Sequence, residues 1–215
     1  MAWLAVTLIS VSRLAPVKRG NEIPTIDVVL VTITPTGGTE IGLNTASKLG
    51  VNVQTETQDA VKLVVKGRLI AQKPEQVTIT GNTLVLTDNV FTPEVVKILQ
   101  GGTIKYWTTA EKTTEGDEDK GFGVARYTPP VTGSSEKGQE FVTKAYSAIY
   151  NAAGSIIGYE CISYPNCKGS PVALSSEDGA FRAPEYTINS APDTGEAPYE
   201  ITYPKEIPTL EEASA

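Results

Sequence analysis

The chain predicts a mostly β protein, a β-sandwich or partial barrel with one short flanking α-helix. Thr and Val are abundant, and both suit a pleated, half-buried surface. Several runs alternate apolar and polar residues with a period of two between Gly, Pro and Asn punctuation. Helix start and stop signals fall in the right order at one place only. The 215 residues, 40 % of them hydrophobic, suffice for one all-β domain over residues 1–215 with a real core and long loops. No repeat recurs at a fixed period.

Met1 to Val11 (MAWLAVTLISV) has the apolar look of a secretory signal. Its cations, Arg13, Lys18 and Arg19, follow the apolar run instead of preceding it. The run also falls short of the ~20 residues that cross a bilayer, so a β-strand is expected there. Val28 to Thr34 (VVLVTIT) reads as a strand stopped at Pro35. Gly37 to Asp59 is rich in Thr, Asn, Gln and Gly and poor in large apolar groups. It reads as a long polar loop or as an extended hairpin projecting from the body. Val61 to Ala71 is strand-like, broken at Gly67 by a bulge or close packing.

Gln76 to Thr80 and Thr83 to Thr87 flank Gly81-Asn82, and QVTIT-GN-TLVLT predicts a hairpin with a two-residue turn. Thr92 to Gln100 predicts the helix. Thr92 stands at the N-cap, Pro93 at the first helical position and Glu94 at the positive end of the dipole. Val95, Val96, Ile98 and Leu99 form an apolar stripe, and Gly101-Gly102 ends it. So short a helix must pack on a sheet. Glu111 to Lys120 (EKTTEGDEDK) reads as a solvated acidic loop carrying Glu115, Asp117, Glu118 and Asp119. Phe141 to Tyr150, a turn at Asn151 to Gly154 and a return over Ser155 to Tyr164 predict a second hairpin. Pro184 to Asn189 is strand-length, and residues 204–215 read as an extended C-terminal arm.

Composition bounds the chemistry. Lys and Arg number 18 against 25 Asp and Glu, a net charge of −7. Gripping a phosphate backbone needs clustered cations, so direct nucleic-acid binding is not expected. An acidic wall that DNA slides past is compatible with the balance. The chain has no histidine, which removes the commonest general base, the usual transition-metal ligand and every Ser-His-Asp device. Gly121-Phe-Gly123 lacks the third glycine and following helix of a dinucleotide loop. Asp117-Glu-Asp119 lacks the spaced oxygen ligands of a calcium loop. Neither enzymatic activity, nor a cofactor, nor a metal is expected. Cys161 and Cys167 read either as reduced thiols or as a small-loop disulfide, and zinc would need further ligands. Trp3, Trp107 and the nine tyrosines could form a sugar- or partner-binding surface, but strand packing accounts for them more simply.

Gly81 to Gly102 (GNTLVLTDNVFTPEVVKILQGG), Tyr164 to Pro171 (YPNCKGSP) with Glu177-Asp-Gly179, and Phe181 to Ser190 (FRAPEYTINS) occur in that order. Together they resemble the major tail-tube proteins of long-tailed, siphovirus-type bacteriophages and related prophages. The resemblance implies two orthogonally packed sheets with a flanking short helix. It implies six subunits closing a ring around a continuous inner β-barrel, and rings stacked into a conduit for DNA ejection. It implies a virion protein assembled in the host bacterial cytoplasm. Its partners would be its own copies and the tape-measure, tail-terminator and distal tail proteins, with DNA passing unbound and no membrane. In that scheme Thr92, Pro93, Glu94, Val96 and Leu99 belong to the flanking helix. Gly37 to Asp59 becomes a bridge between subunits or rings, with Asn44, Thr45, Lys48, Gln54 and Thr55 as polar contacts and Val51 and Val53 as apolar anchors. Two alternatives stand beside it: another structural β-protein (a contractile-particle tube or capsid decoration protein), and a secreted β-sandwich binding module, monomeric with a Cys161–Cys167 disulfide.

Overall fold

The computed structural model describes residues 22–114 and 123–210. The strand expected over Met1 to Val11 and the acidic loop with Glu115, Asp117, Glu118 and Asp119 lie outside the described residues. The chain runs through β1 (Thr25–Pro35), β2 (Ile41–Leu43), β3 (Ala46–Gln58), β4 (Val61–Val65), β5 (Arg68–Lys73) and β6 (Gln76–Asp88). It continues through α1 (Pro93–Gln100), β7 (Thr103–Tyr106), α2 (Thr109–Thr114), β8 (Val124–Thr128), β9 (Phe141–Tyr150), β10 (Ile156–Gly169), β11 (Glu185–Ser190) and β12 (Glu200–Thr202).

The protein is mostly β. One eight-stranded antiparallel sheet has the order β2-β1-β9-β10-β11-β6-β3, with β12 beside β10. β4–β5 and β7–β8 form separate two-stranded sheets. The large sheet curls until β3 returns alongside β1. Among the described residues it remains open, with β2 and β3 as its terminal strands. This is the partial barrel that the sequence predicts.

Both faces of the sheet are covered near its centre. On one face Val95, Val96 and Leu99 of α1 join Val31, Ile33, Leu84, Leu86, Phe141, Tyr186 and Ile188 in one buried cluster. On the other, Leu30, Tyr146 and Cys161 are covered by Ile207 of the C-terminal chain. Burial on both faces explains why VVLVTIT does not alternate. The described part of the C-terminal arm is thus seated on the body: the Tyr159 amide donates to the Pro204 carbonyl at 2.9 Å, and Leu210 occupies the space a side chain at Gly42 would need.

Three local expectations need correction. The Gly37 to Asp59 segment is not a long loop. It contains β2, which pairs with β1, and the thirteen-residue β3, which pairs with β6, so it is neither a loop nor a hairpin of its own; β3 supplies one strand of a two-stranded ribbon. Gly81-Asn82 makes no turn. β6 runs straight through it, paired with β3 on one side and β11 on the other. A Cβ at Gly81 would lie 2.5 Å from the Ser190 carbonyl oxygen. Asn82 is fully buried, its Nδ2 donating to the Pro198 carbonyl at 3.0 Å. The pair therefore serves close packing between strands, and the register shifts beside it, between Gln54 and Thr55. Thirdly, Thr92 holds the N-cap position without a side-chain cap bond.

The helix and the second hairpin lie where expected. Asn151 closes the β9–β10 turn, its Oδ1 accepting from the Ala153 and Ser155 amides at 2.9 Å each. α2 is a helix the sequence reading did not contain. A reciprocal capping box starts it: the Thr108 amide donates to Glu111 Oε2 at 3.1 Å, and the Glu111 amide donates to Thr108 Oγ1 at 3.3 Å. Hydrogen bonds from Lys105 and Thr108 hold the Glu111 carboxyl down to about 2.

Cys161 and Cys167 are buried free thiols on the same strand, opposite Tyr146 and Phe141 of β9. The Phe141 to Tyr146 stretch, at ~3.3 Å per residue, separates them by roughly 17 Å, against the ~7 Å limit between the Cα atoms of a disulfide. Burial holds the Cys167 thiol above its ordinary pKa, and its Sγ donates to the Tyr164 carbonyl at 3.2 Å. Titration of the denatured, unreduced protein with a thiol reagent should find both groups reactive, and the native protein should react far more slowly. Finding neither group in the denatured protein would contradict this strand geometry.

Candidate assembly surface

The sheet divides at Ser190. β11 pairs with β6 only as far as Ser190 opposite Asn82. Beyond that point β10 is flanked by β12, through Cys161 opposite Thr202 to Ser163 opposite Glu200. β6 continues with β3 alone, from Gln54 opposite Gly81 to Gln58 opposite Gln76. The β3–β6 ribbon then carries β4 and β5 as a terminal hairpin, closed by Lys66 and Gly67 at φ 46° and 80°, so Gly67 is a turn residue with open space around it and not the bulge or close packing expected within one strand. Successive positive φ values give the two-residue turn that matches strand twist.

Every residue from Val51 to Thr80 is exposed except half-buried Ala60. At the base, cross-strand pairing puts Thr55, Thr57, Val77 and Ile79 on one face and Glu56, Gln58, Gln76 and Thr78 on the other. Farther out, Val61 and Leu63 share a face with Ala71. Val64 follows on the opposite face, and the register shift, which leaves Ile70 as an extra residue on β5, puts Leu69 on that face opposite it. Both faces of the tip are therefore apolar, and Leu63, Val64, Leu69 and Ile70 are 54–60 % exposed. A lone two-stranded ribbon is marginal in water, and its exposed apolar side chains make the tip a candidate interaction surface.

The structure gathers part of the expected interface. Lys48, Val51, Val53, Gln54 and Thr55 follow one another along β3, the terminal strand. Val51 and Val53 are exposed opposite buried Leu84 and Asn82, so they extend the core face beyond its cover. Gln54 Nε2 donates to Thr83 Oγ1 at 2.8 Å. Asn44 is exposed in the β2–β3 connection. Thr45 is committed internally: its Oγ1 donates to Asp88 Oδ1 at 2.5 Å and its carbonyl accepts from the Asn89 amide at 3.2 Å. It latches β3 to the end of β6 and is not an outward contact.

The helix residues lie elsewhere. Val96 and Leu99 are core, and Glu94 accepts from the Tyr106 hydroxyl at 3.3 Å. The hairpin residues Leu63, Val64, Leu69 and Ile70 do not stand out in the sequence, because a β-branched, apolar run reads as core strand. The cations alternating with them, Lys62, Lys66 and Arg68, were the available signal of exposure.

Among the described residues no three His, Cys, Asp or Glu side chains converge as metal ligands, and no helix is long and apolar enough to cross a membrane. No protein-family model matches the chain, and neither does any curated protein. A chain in the cryo-EM structure of the anti-feeding prophage (AFP) baseplate, 6-fold symmetrised, is similar at a TM-score of 0.33 and 8 % identity, over 87 % of this chain and 93 % of that one.

Proposed function

We propose that this protein is a structural subunit, not an enzyme, that assembles with its own copies into rings and tubes of the phage-tail type. The observation that carries the reading is the open sheet with a projecting β3–β6 ribbon, whose apolar side chains and terminal strand have no cover among the described residues. Unpaired strand edges are liabilities that soluble monomers blunt, whereas closure by neighbouring subunits removes them. The three sequence segments resembling tail-tube proteins support the choice of tube over other assemblies. Net charge of −7 suits a conduit that DNA traverses without sticking. The geometry on β10 also takes from the secreted-module alternative its Cys161–Cys167 disulfide.

Size-exclusion chromatography with light scattering, followed by negative-stain electron microscopy, tests the reading on the purified full chain. Rings and stacked tubes should form as concentration rises, six subunits to a ring. A monomer at every concentration up to the millimolar range, with no rings on the grid, would sink it.

A further inference from the structure

We infer that the β4–β5 hairpin of one copy docks on the β12 edge of a second copy, a contact between two different surfaces of the same protein. This rests on the self-assembly proposed above and names the surfaces that meet. Four cations, Lys62, Lys66, Arg68 and Lys73, lie between Val61 and Lys73 with no carboxylate among them, in a chain whose net charge is −7. The chain therefore segregates positive charge onto its most exposed apolar element.

The complement lies on the other side of the division at Ser190. Ala191 to Glu206 carries Asp193, Glu196, Glu200 and Glu206, with Lys205 as its single cation. Tyr199, Ile201 and Tyr203 of the same stretch are 38 %, 42 % and 53 % exposed. Among the described residues β12 has β10 as its one paired neighbour, so its other edge offers backbone donors and acceptors to an incoming strand. Basic and apolar thus meets acidic and aromatic, with a strand edge available between them. A second copy fits better than a lipid surface, because an anionic membrane attracts the hairpin but repels the acidic body that carries it.

Because donor and acceptor surfaces differ, the contact is head-to-tail. It generates a ring where the rotation closes and a filament where it does not. The apolar contacts supply the adhesion, and the rim charges supply register, encounter rate and salt sensitivity.

Paired charge reversal tests this. One variant carries Lys62→Glu, Lys66→Glu and Arg68→Glu, and the other Glu196→Lys and Glu200→Lys. All five side chains are exposed, so both variants should melt like the wild type. Wild-type protein should assemble, and each variant alone should need at least tenfold more protein to do so. An equimolar mixture should recover assembly, because the acidic hairpin of the first variant meets the basic edge of the second while their remaining surfaces stay complementary. Assembly of either variant at wild-type concentrations would overturn the inference, as would a mixture that fails to recover. Wild-type protein that assembles nowhere would overturn the self-assembly reading itself. Wild-type protein that stays unassembled but sediments with vesicles of phosphatidylglycerol and phosphatidylcholine, with the hairpin variant left in solution, would assign the hairpin to membranes instead.

Discussion

Val96→Asp should yield protein that is insoluble or largely unfolded. Val96 is fully buried within the cluster that joins α1 to the sheet. An aspartate there would sit in a cluster of Leu, Ile, Phe and Tyr side chains. An unpaired buried charge costs roughly 3–5 kcal/mol, a large part of the ~5–15 kcal/mol that holds a typical domain together. Val96→Ala separates charge from volume. It removes two methyl groups at ~0.8 kcal/mol each plus a cavity term, so a loss of ~2 kcal/mol and a soluble, cooperative protein are expected. A Val96→Asp melt indistinguishable from the wild type would show that α1 is not packed against β6, β9 and β11 in the way described.

The contrast between α1 and β6 shows what the sequence made legible. α1 could be read because its signals are local: Pro93 at the start, an apolar stripe at helical spacing, and glycines at the end. The Asn151 turn is local in the same sense, since one side chain satisfies the amides of the residues that follow it. Gly81-Asn82 carried an equally strong local signal, and there tertiary structure prevailed. The strand is held from both sides by β3 and β11, and the missing side chain of Gly81 admits the Ser190 carbonyl.

The assembly surface was half legible for a related reason. Polar β3 was singled out, yet its polarity arises because the ribbon stands clear of the body and not because the segment is irregular. Apolar β4 and β5 look like ordinary strand in the sequence because a hydrophobic period reports which face wants cover. It does not report whether that cover comes from the same chain or from another copy. α2 went unread because it has a capping box and no apolar stripe.

Gly169→Ala should be among the most damaging single-methyl changes the fold can suffer. Gly169 ends β10 directly against α1. A Cβ there would lie 2.5 Å from both Cα and Cβ of Leu99 and 2.6 Å from its Cδ2. The Leu99 side chain could move, but its Cα belongs to a helix that is held on a second side as well. The Gln139 amide donates to the Ile98 carbonyl at 2.8 Å, and Gly138 packs so closely that its own Cβ would lie 2.2 Å from the Leu99 carbonyl oxygen. The clash is therefore with clamped backbone, and relieving it means lifting α1 from the sheet. Overpacking typically costs ~1–3 kcal/mol, and a site that cannot yield belongs at or above the upper end of that range. Gly50→Ala provides the control. Gly50 lies on terminal strand β3, and its added Cβ would meet the Val85 carbonyl oxygen at an ordinary 3.7 Å. Removing a strand glycine there should leave stability within ~0.5 kcal/mol or raise it slightly. Thermal melts followed by circular dichroism should place Gly50→Ala at the wild-type midpoint and Gly169→Ala well below it. Equal midpoints for the two variants would mean that α1 rides loosely on β10 and that the close contact at Leu99 is not a constraint on the fold.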